Sequence, residues 1–153
     1  MKRRHILWIG LLLYVVSFFL VAVGYSGVPS GVVRGYACAE ISLISPLTEA
    51  SSFNKPFEYV SLLISGWINL VFVTGLCFTF SKLYRQVPAI FGIVIVLMIP
   101  FPWVVFHHEA LYPREGHFVW IAGMLLVLFS ERLEKAALHL KMLRPRACEG
   151  AGG

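Results

Sequence analysis

Four long apolar stretches take up most of this chain, and the first three, Ile6 to Tyr25, Tyr59 to Phe80 and Val87 to Phe106, contain no Asp, Glu, Lys or Arg. A helix that crosses the roughly 30 Å hydrocarbon layer of a bilayer needs about 20 predominantly apolar residues, and each of these stretches meets that length. The fourth runs only from His117 to Ser130 before charge appears. At 1.5 Å per residue it covers about 20 Å, so the span is expected to continue to residue 135, with Arg132 and Lys135 stretching their heads to the interface.

The expected fold is an all-α integral membrane protein: a four-transmembrane-helix bundle with spans near 6–25, 59–80, 87–106 and 117–135. The spans and their short connections form a single domain over residues 1–146, followed by a disordered tail at 147–153. Apolar residues make up 58% of the chain and charged residues 14%, against about 25% charged in an ordinary soluble domain. A water-soluble core of this size could not hide that much apolar surface. The net charge of +5 does not point to nucleic acid, because the basic residues flank the apolar stretches instead of lying among aromatics on a polar face.

Those basic residues set the orientation. Lys2, Arg3 and Arg4 precede the first stretch, Lys82 and Arg85 join the second to the third, and Arg132, Lys135, Lys141, Arg144 and Arg146 follow the fourth. The positive-inside rule puts all three regions, and with them both termini, in the cytoplasm, which makes the expected location the cell (inner) membrane. The other side then carries Glu40, Glu49, Glu58, Glu109 and Glu115, with tryptophan and tyrosine, including Tyr25 and Trp120, in a headgroup-level belt. The first stretch is too long for the apolar region of a signal peptide and is expected to be retained.

The outer loop from Ser26 to Glu58 is the one sizeable piece outside the spans. Val33, Tyr36, Ala37, Ile41 and Ile44 recur at helical spacing, predicting a short interfacial helix that lies on the leaflet or covers the mouth of the bundle and stops at Pro46.

Within the spans, Glu58, Ser61, Ser65 and Asn69 repeat every three or four residues and so share one helix face. If the first two spans pack antiparallel, Tyr14 or Ser17 comes level with Asn69. Tyr14, Ser17, Ser61, Ser65 and Asn69 are therefore expected to act as polar packing residues between helices. His107, His108 and His117 bracket the second outer loop together with Glu109 and Glu115, with Glu58 and Asn69 as further candidates, and bring imidazole and carboxylate groups to the outer end, a donor set suited to a metal or to haem. No His-Glu-x-x-His pair accompanies them, so no resident cofactor is expected, with haem or a metal as the alternative. Cys38, Cys77 and Cys148 fall at three different depths and cannot pair.

The chain has no Asp, no Gly-x-Ser-x-Gly elbow and no phosphate-binding glycine loop. Glue residues without deep ionisable ones point to a non-enzymatic accessory or assembly partner of a membrane complex, whose partners are the bilayer, other membrane proteins or a second copy. The alternatives are a small-molecule, haem or metal-binding membrane protein with its site near the outer face, and a small transporter, whose spans usually keep ionisable groups.

Overall fold

A computed structural model describes residues 2–26, 31–48, 56–80 and 87–149. In chain order these form α1 (Arg3–Ser17), β1 (Val21–Tyr25), β2 (Val32–Arg34), α2 (Gly35–Thr48), α3 (Pro56–Thr79), α4 (Val87–Met98), α5 (Pro100–His108), β3 (Leu111–Pro113), α6 (Glu115–Leu128) and α7 (Ser130–Glu149). Among the described residues, two helical runs are long and apolar enough to cross a membrane, α3 (Pro56–Thr79) and the run Val87–His107 that joins α4 to α5; the pair α6 and α7 adds a third if it is taken as one bent span.

The first apolar stretch is not one helix. Phe18 and Phe19 donate to the carbonyls of Val15 and Val16 (3.2 and 3.0 Å), the three-residue spacing that tightens a last helical turn. The Ser17 hydroxyl donates to the Tyr14 carbonyl at 2.6 Å. After that turn the chain becomes strand β1, the centre of a three-stranded antiparallel sheet ordered β2-β1-β3. Gly24 faces Val32 on one side and Tyr112 on the other, with an irregular register between Val21 and Val23. Val21 and Val23 suit a pleated, half-buried surface, and pairing on both edges satisfies backbone groups that a helix would have satisfied internally.

The last apolar stretch also departs from the expected single span. Helix α6 ends at Leu128, and α7 leaves at an angle of 75°. The break lies at Phe129, whose N–H returns to the Leu125 carbonyl (2.9 Å). A helix, α2, occupies the segment of the expected interfacial helix, but Val33, which the helical spacing includes, lies in strand β2, and α2 passes through Pro46 to Thr48; α7 passes Pro145 to reach Glu149. Of the expected disordered tail, residues 147–149 belong to α7 and residues 150–153 lie outside the described residues.

The core gathers Ile68 and Phe72 of α3, Ile95 of α4, and Met124, Val127 and Leu128 of α6. Helix α1 lies against α6 at backbone distance. A Cβ on Gly123 would sit 2.6 Å from the Tyr14 amide nitrogen, and one on Gly10 would sit 2.9 Å from that of Val127. Small residues on both faces are what permit so close an approach. Helix α2 crosses α3 in the same manner, with the Ser42 carbonyl placed where Gly66 would carry a side chain.

The opposite faces are apolar as well: Leu12, Trp67, Ile90 and Leu97 are 63%, 54%, 57% and 67% exposed. Water-soluble monomers rarely present continuous apolar surface of this extent. The molecule has two distinct ends. At one, the start of α1 meets the end of α3 and the first turns of α7, since Arg3 donates from its side chain to the Thr79 carbonyl and from its backbone to Glu134 (both 2.9 Å). The sheet and α2 lie at the other.

Candidate functional site

At the sheet end, the strands, α2 and the ends of α1, α3, α5 and α6 enclose a half-open cavity of about 400 Å³. Its walls are mainly apolar, and the polar groups among the described lining residues are few: Ser17 of α1, Tyr25 of β1, Cys38 and Ser42 of α2, Glu58, Ser65 and Asn69 of α3, Glu109 after α5, and His117 and Trp120 of α6. Neither Lys nor Arg is among the described lining residues.

Asn69 fastens three helices at the floor. Its Oδ1 accepts from Tyr14 Oη (3.1 Å) and from Trp120 Nε1 (3.0 Å). An indole N–H can only donate, so the amide atom facing it must be the oxygen. The NH2 is then the group Asn69 can offer to an occupant of the cavity it lines. Tyr14 is held from the side by Phe72, with ring centroids 4.3 Å apart, and by Phe18 edge-on at 5.1 Å.

The serines named with Asn69 work differently from the expectation. Ser61 and Ser65 donate to carbonyls of their own helix, Phe57 and Ser61 (both 2.7 Å), and Ser17 donates to Tyr14. Their cross-helix contribution is small size at buried positions, not hydrogen bonding, because each hydroxyl proton is used by the carbonyl three or four residues back. Trp120, assigned from the sequence to the headgroup belt, is half-buried and reaches inward to Asn69.

His117 is 4% exposed, and its Nε2 finds no hydrogen-bond partner among the described residues. Aromatic rings surround it: Phe106 edge-on at 5.0 Å, Trp103 at 6.1 Å and Trp120 tilted at 5.6 Å. A buried imidazole nitrogen without a partner is costly in an apolar setting, which makes this atom a candidate contact for a bound molecule.

The other residues expected near a metal do not join it as a ligand set. His107 is exposed and the side chain of His108 lies outside the described residues. Among the described residues, no three His, Cys, Asp or Glu side chains come together as metal ligands. Glu58 is half-buried and Glu109 exposed at the rim. Burial pushes the Cys38 thiol up from its ordinary 9.0 to about 11, so at neutral pH it is a protonated thiol and a weak nucleophile.

The polar face of α3 and the level of Tyr14 against Asn69 could be read in advance. The part of Trp120 could not, because an indole near a span end reads first as an interface anchor. Comparison of the chain with protein-family models, with curated proteins and with solved structures finds no match.

Proposed function

We propose that this is a polytopic membrane protein that binds an amphipathic small molecule, without transforming it, in the cavity at the sheet end. The observation that carries this reading is the 400 Å³ cavity itself, whose apolar wall converges on the Asn69 amide and the unpartnered Nε2 of buried His117. Binding sites for small molecules occupy about 300–1,000 Å³ and combine apolar walls with a few placed polar groups. The cavity favours this role over a purely assembling one, which would have no use for a pocket so lined.

The charge of the lining narrows the occupant. Two carboxylates, Glu58 and Glu109, and no Lys or Arg among the described lining residues disfavour an anionic headgroup. An uncharged head able to accept from the Asn69 amide and to pair with His117, on an apolar tail of lipid type, fits the remaining features. Helix and strand together carry the first apolar stretch across the bilayer in this reading, and α6 with the first turns of α7 form the last crossing. In the same reading the positive-inside rule assigns the end remote from the sheet, with both termini, to the cytoplasmic side.

Titration of the purified protein with a brominated fatty alcohol tests the proposal, because bromine quenches tryptophan on contact. Saturable quenching that disappears in Trp120→Phe and in the cavity-filling Ser65→Phe is expected. Quenching that is linear in alcohol and equal in all three proteins would refute it.

A further inference from the structure

The end of the molecule remote from the sheet holds a second cavity, of about 230 Å³, whose character is the reverse of the first. Arg3, Arg132 and Lys135 line it, against the carboxylate of Glu131 alone among the described lining residues. It is also where three helices begin. Arg3 opens α1, Pro88 and Ala89 stand in the first turn of α4, and Ser130 opens α7. Two helices also end there, α3 at Thr79 and α6 at Leu128, so the partial charges of helix starts and helix ends offset one another and the positive character of the cavity comes from its Arg and Lys side chains.

The groups that could neutralise this charge are already engaged. Glu131 is bound to Lys135 at 3.0 Å, and Glu134 accepts the Arg3 backbone N–H at 2.9 Å. Arg3 gives one terminal nitrogen to the Thr79 carbonyl, while its Nε is buried and has no partner among the described residues. A guanidinium is never deprotonated in a protein, and its donors form a planar fork that matches phosphate and carboxylate oxygens.

We infer that this cavity binds a phosphate ester, and specifically the headgroup phosphate of an anionic phospholipid. Arg3 supplies the buried donor, Arg132 supplies exposed charge at the mouth, and Lys135, shared with Glu131, adds a second cation beside it. The lipid source is favoured over soluble phosphate by what adjoins the site. Ile90, Ile93 and Leu97 continue up α4 from Ala89 as a row that is 57%, 48% and 67% exposed, a track for an acyl chain whose head is held below. Basic pockets between helices at the cytoplasmic side are a recurrent setting for such headgroups. This site is independent of the cavity at the sheet end and does not require that one to bind anything.

The test uses the full-length protein in nanodiscs of phosphatidylcholine with increasing phosphatidylglycerol, the retained lipid being counted by native mass spectrometry. Preferential retention of phosphatidylglycerol is expected, reduced about fivefold for each cation removed in Arg132→Gln and Lys135→Gln. Both side chains are exposed, so these variants keep the fold even where Arg3→Gln does not. Equal retention of the two lipids, or unchanged preference in the double variant, would overturn the inference. A parallel arm adds inorganic phosphate. Saturable binding of phosphate with no preference for phosphatidylglycerol would overturn the lipid assignment and leave a soluble-anion site in its place.

Discussion

Replacing Asn69 by leucine separates a polar pin from ordinary apolar packing. Leucine fills much of the same volume but accepts nothing, so Tyr14 Oη and Trp120 Nε1, now 3.1 and 3.0 Å from the amide oxygen, both lose their acceptor. Hydrogen bonds between membrane helices are worth about 0.6–2 kcal/mol each, which places the loss from two at about 1–4 kcal/mol. Tyr14→Phe removes only one of them and keeps the ring against Phe72 and Phe18, so it should cost about 0.6–2 kcal/mol. Once Asn69 is leucine, the same tyrosine change should cost almost nothing. Heat or detergent unfolding of the four proteins in the double-mutant cycle measures this coupling directly. Strict additivity, with Tyr14→Phe equally costly in both backgrounds, would show that the hydroxyl gains nothing from Asn69 and would refute the reading of this residue as the fastening point of three helices.

At the α1–α6 contact, Gly123→Val should prevent docking altogether, because its Cβ would lie 2.6 Å from the Tyr14 amide nitrogen; a loss above about 3 kcal/mol and a collapse in folded yield after detergent extraction are the readouts. Alkylation of Cys38 by iodoacetamide should accelerate about tenfold per pH unit and keep rising to about 11; a plateau near 9 would contradict its burial. Because the folded thiol titrates above the unfolded one, its contribution to stability is complete below 9.0 and is lost as pH rises to about 11, so unfolding scans across that window should show Cys38→Ala declining less than the native protein. Glu131→Gln removes a pair in which Lys135 is exposed but the glutamate is only 18% exposed, and should cost more than the roughly 0.5 kcal/mol of a fully exposed i, i+4 pair, a bound that melting curves can check.

The helical core was legible in the sequence where a long apolar run coincided with a regular polar face. For α3 both signals agree, and the spacing of Ser61, Ser65 and Asn69 located the face that turns toward the cavity at the sheet end, where Asn69 alone of the three bonds to α1. The first apolar stretch defeated the same reasoning. An unbroken apolar run does not distinguish buried helix from buried strand by its period, and Val21 to Tyr25 becomes a strand through partners at Val32–Arg34 and Leu111–Pro113, which no local window contains. The bend at Phe129 escaped notice because no proline or glycine marks it. Pro46 signalled a helix end that does not occur, which shows how weak a single proline is against the preference of its neighbours. For the site, residue types identified Asn69 and His117, whereas the cavity between them depends on the crossing of α2 over α3 at Gly66 and could not be foreseen from spacing.

The sheet has a bearing on how the molecule can be made. Its middle strand leaves the ribosome early, with the first apolar stretch, yet one of its two flanking partners is Leu111–Pro113, which is synthesised only after α5. Until that segment arrives, one side of β1 exposes unpaired backbone amides and carbonyls, a state that invites mispairing. Strand β1 therefore completes its pairing only once β3 has been made, and the roof of the cavity at the sheet end, to which Leu111 contributes, closes no earlier than that.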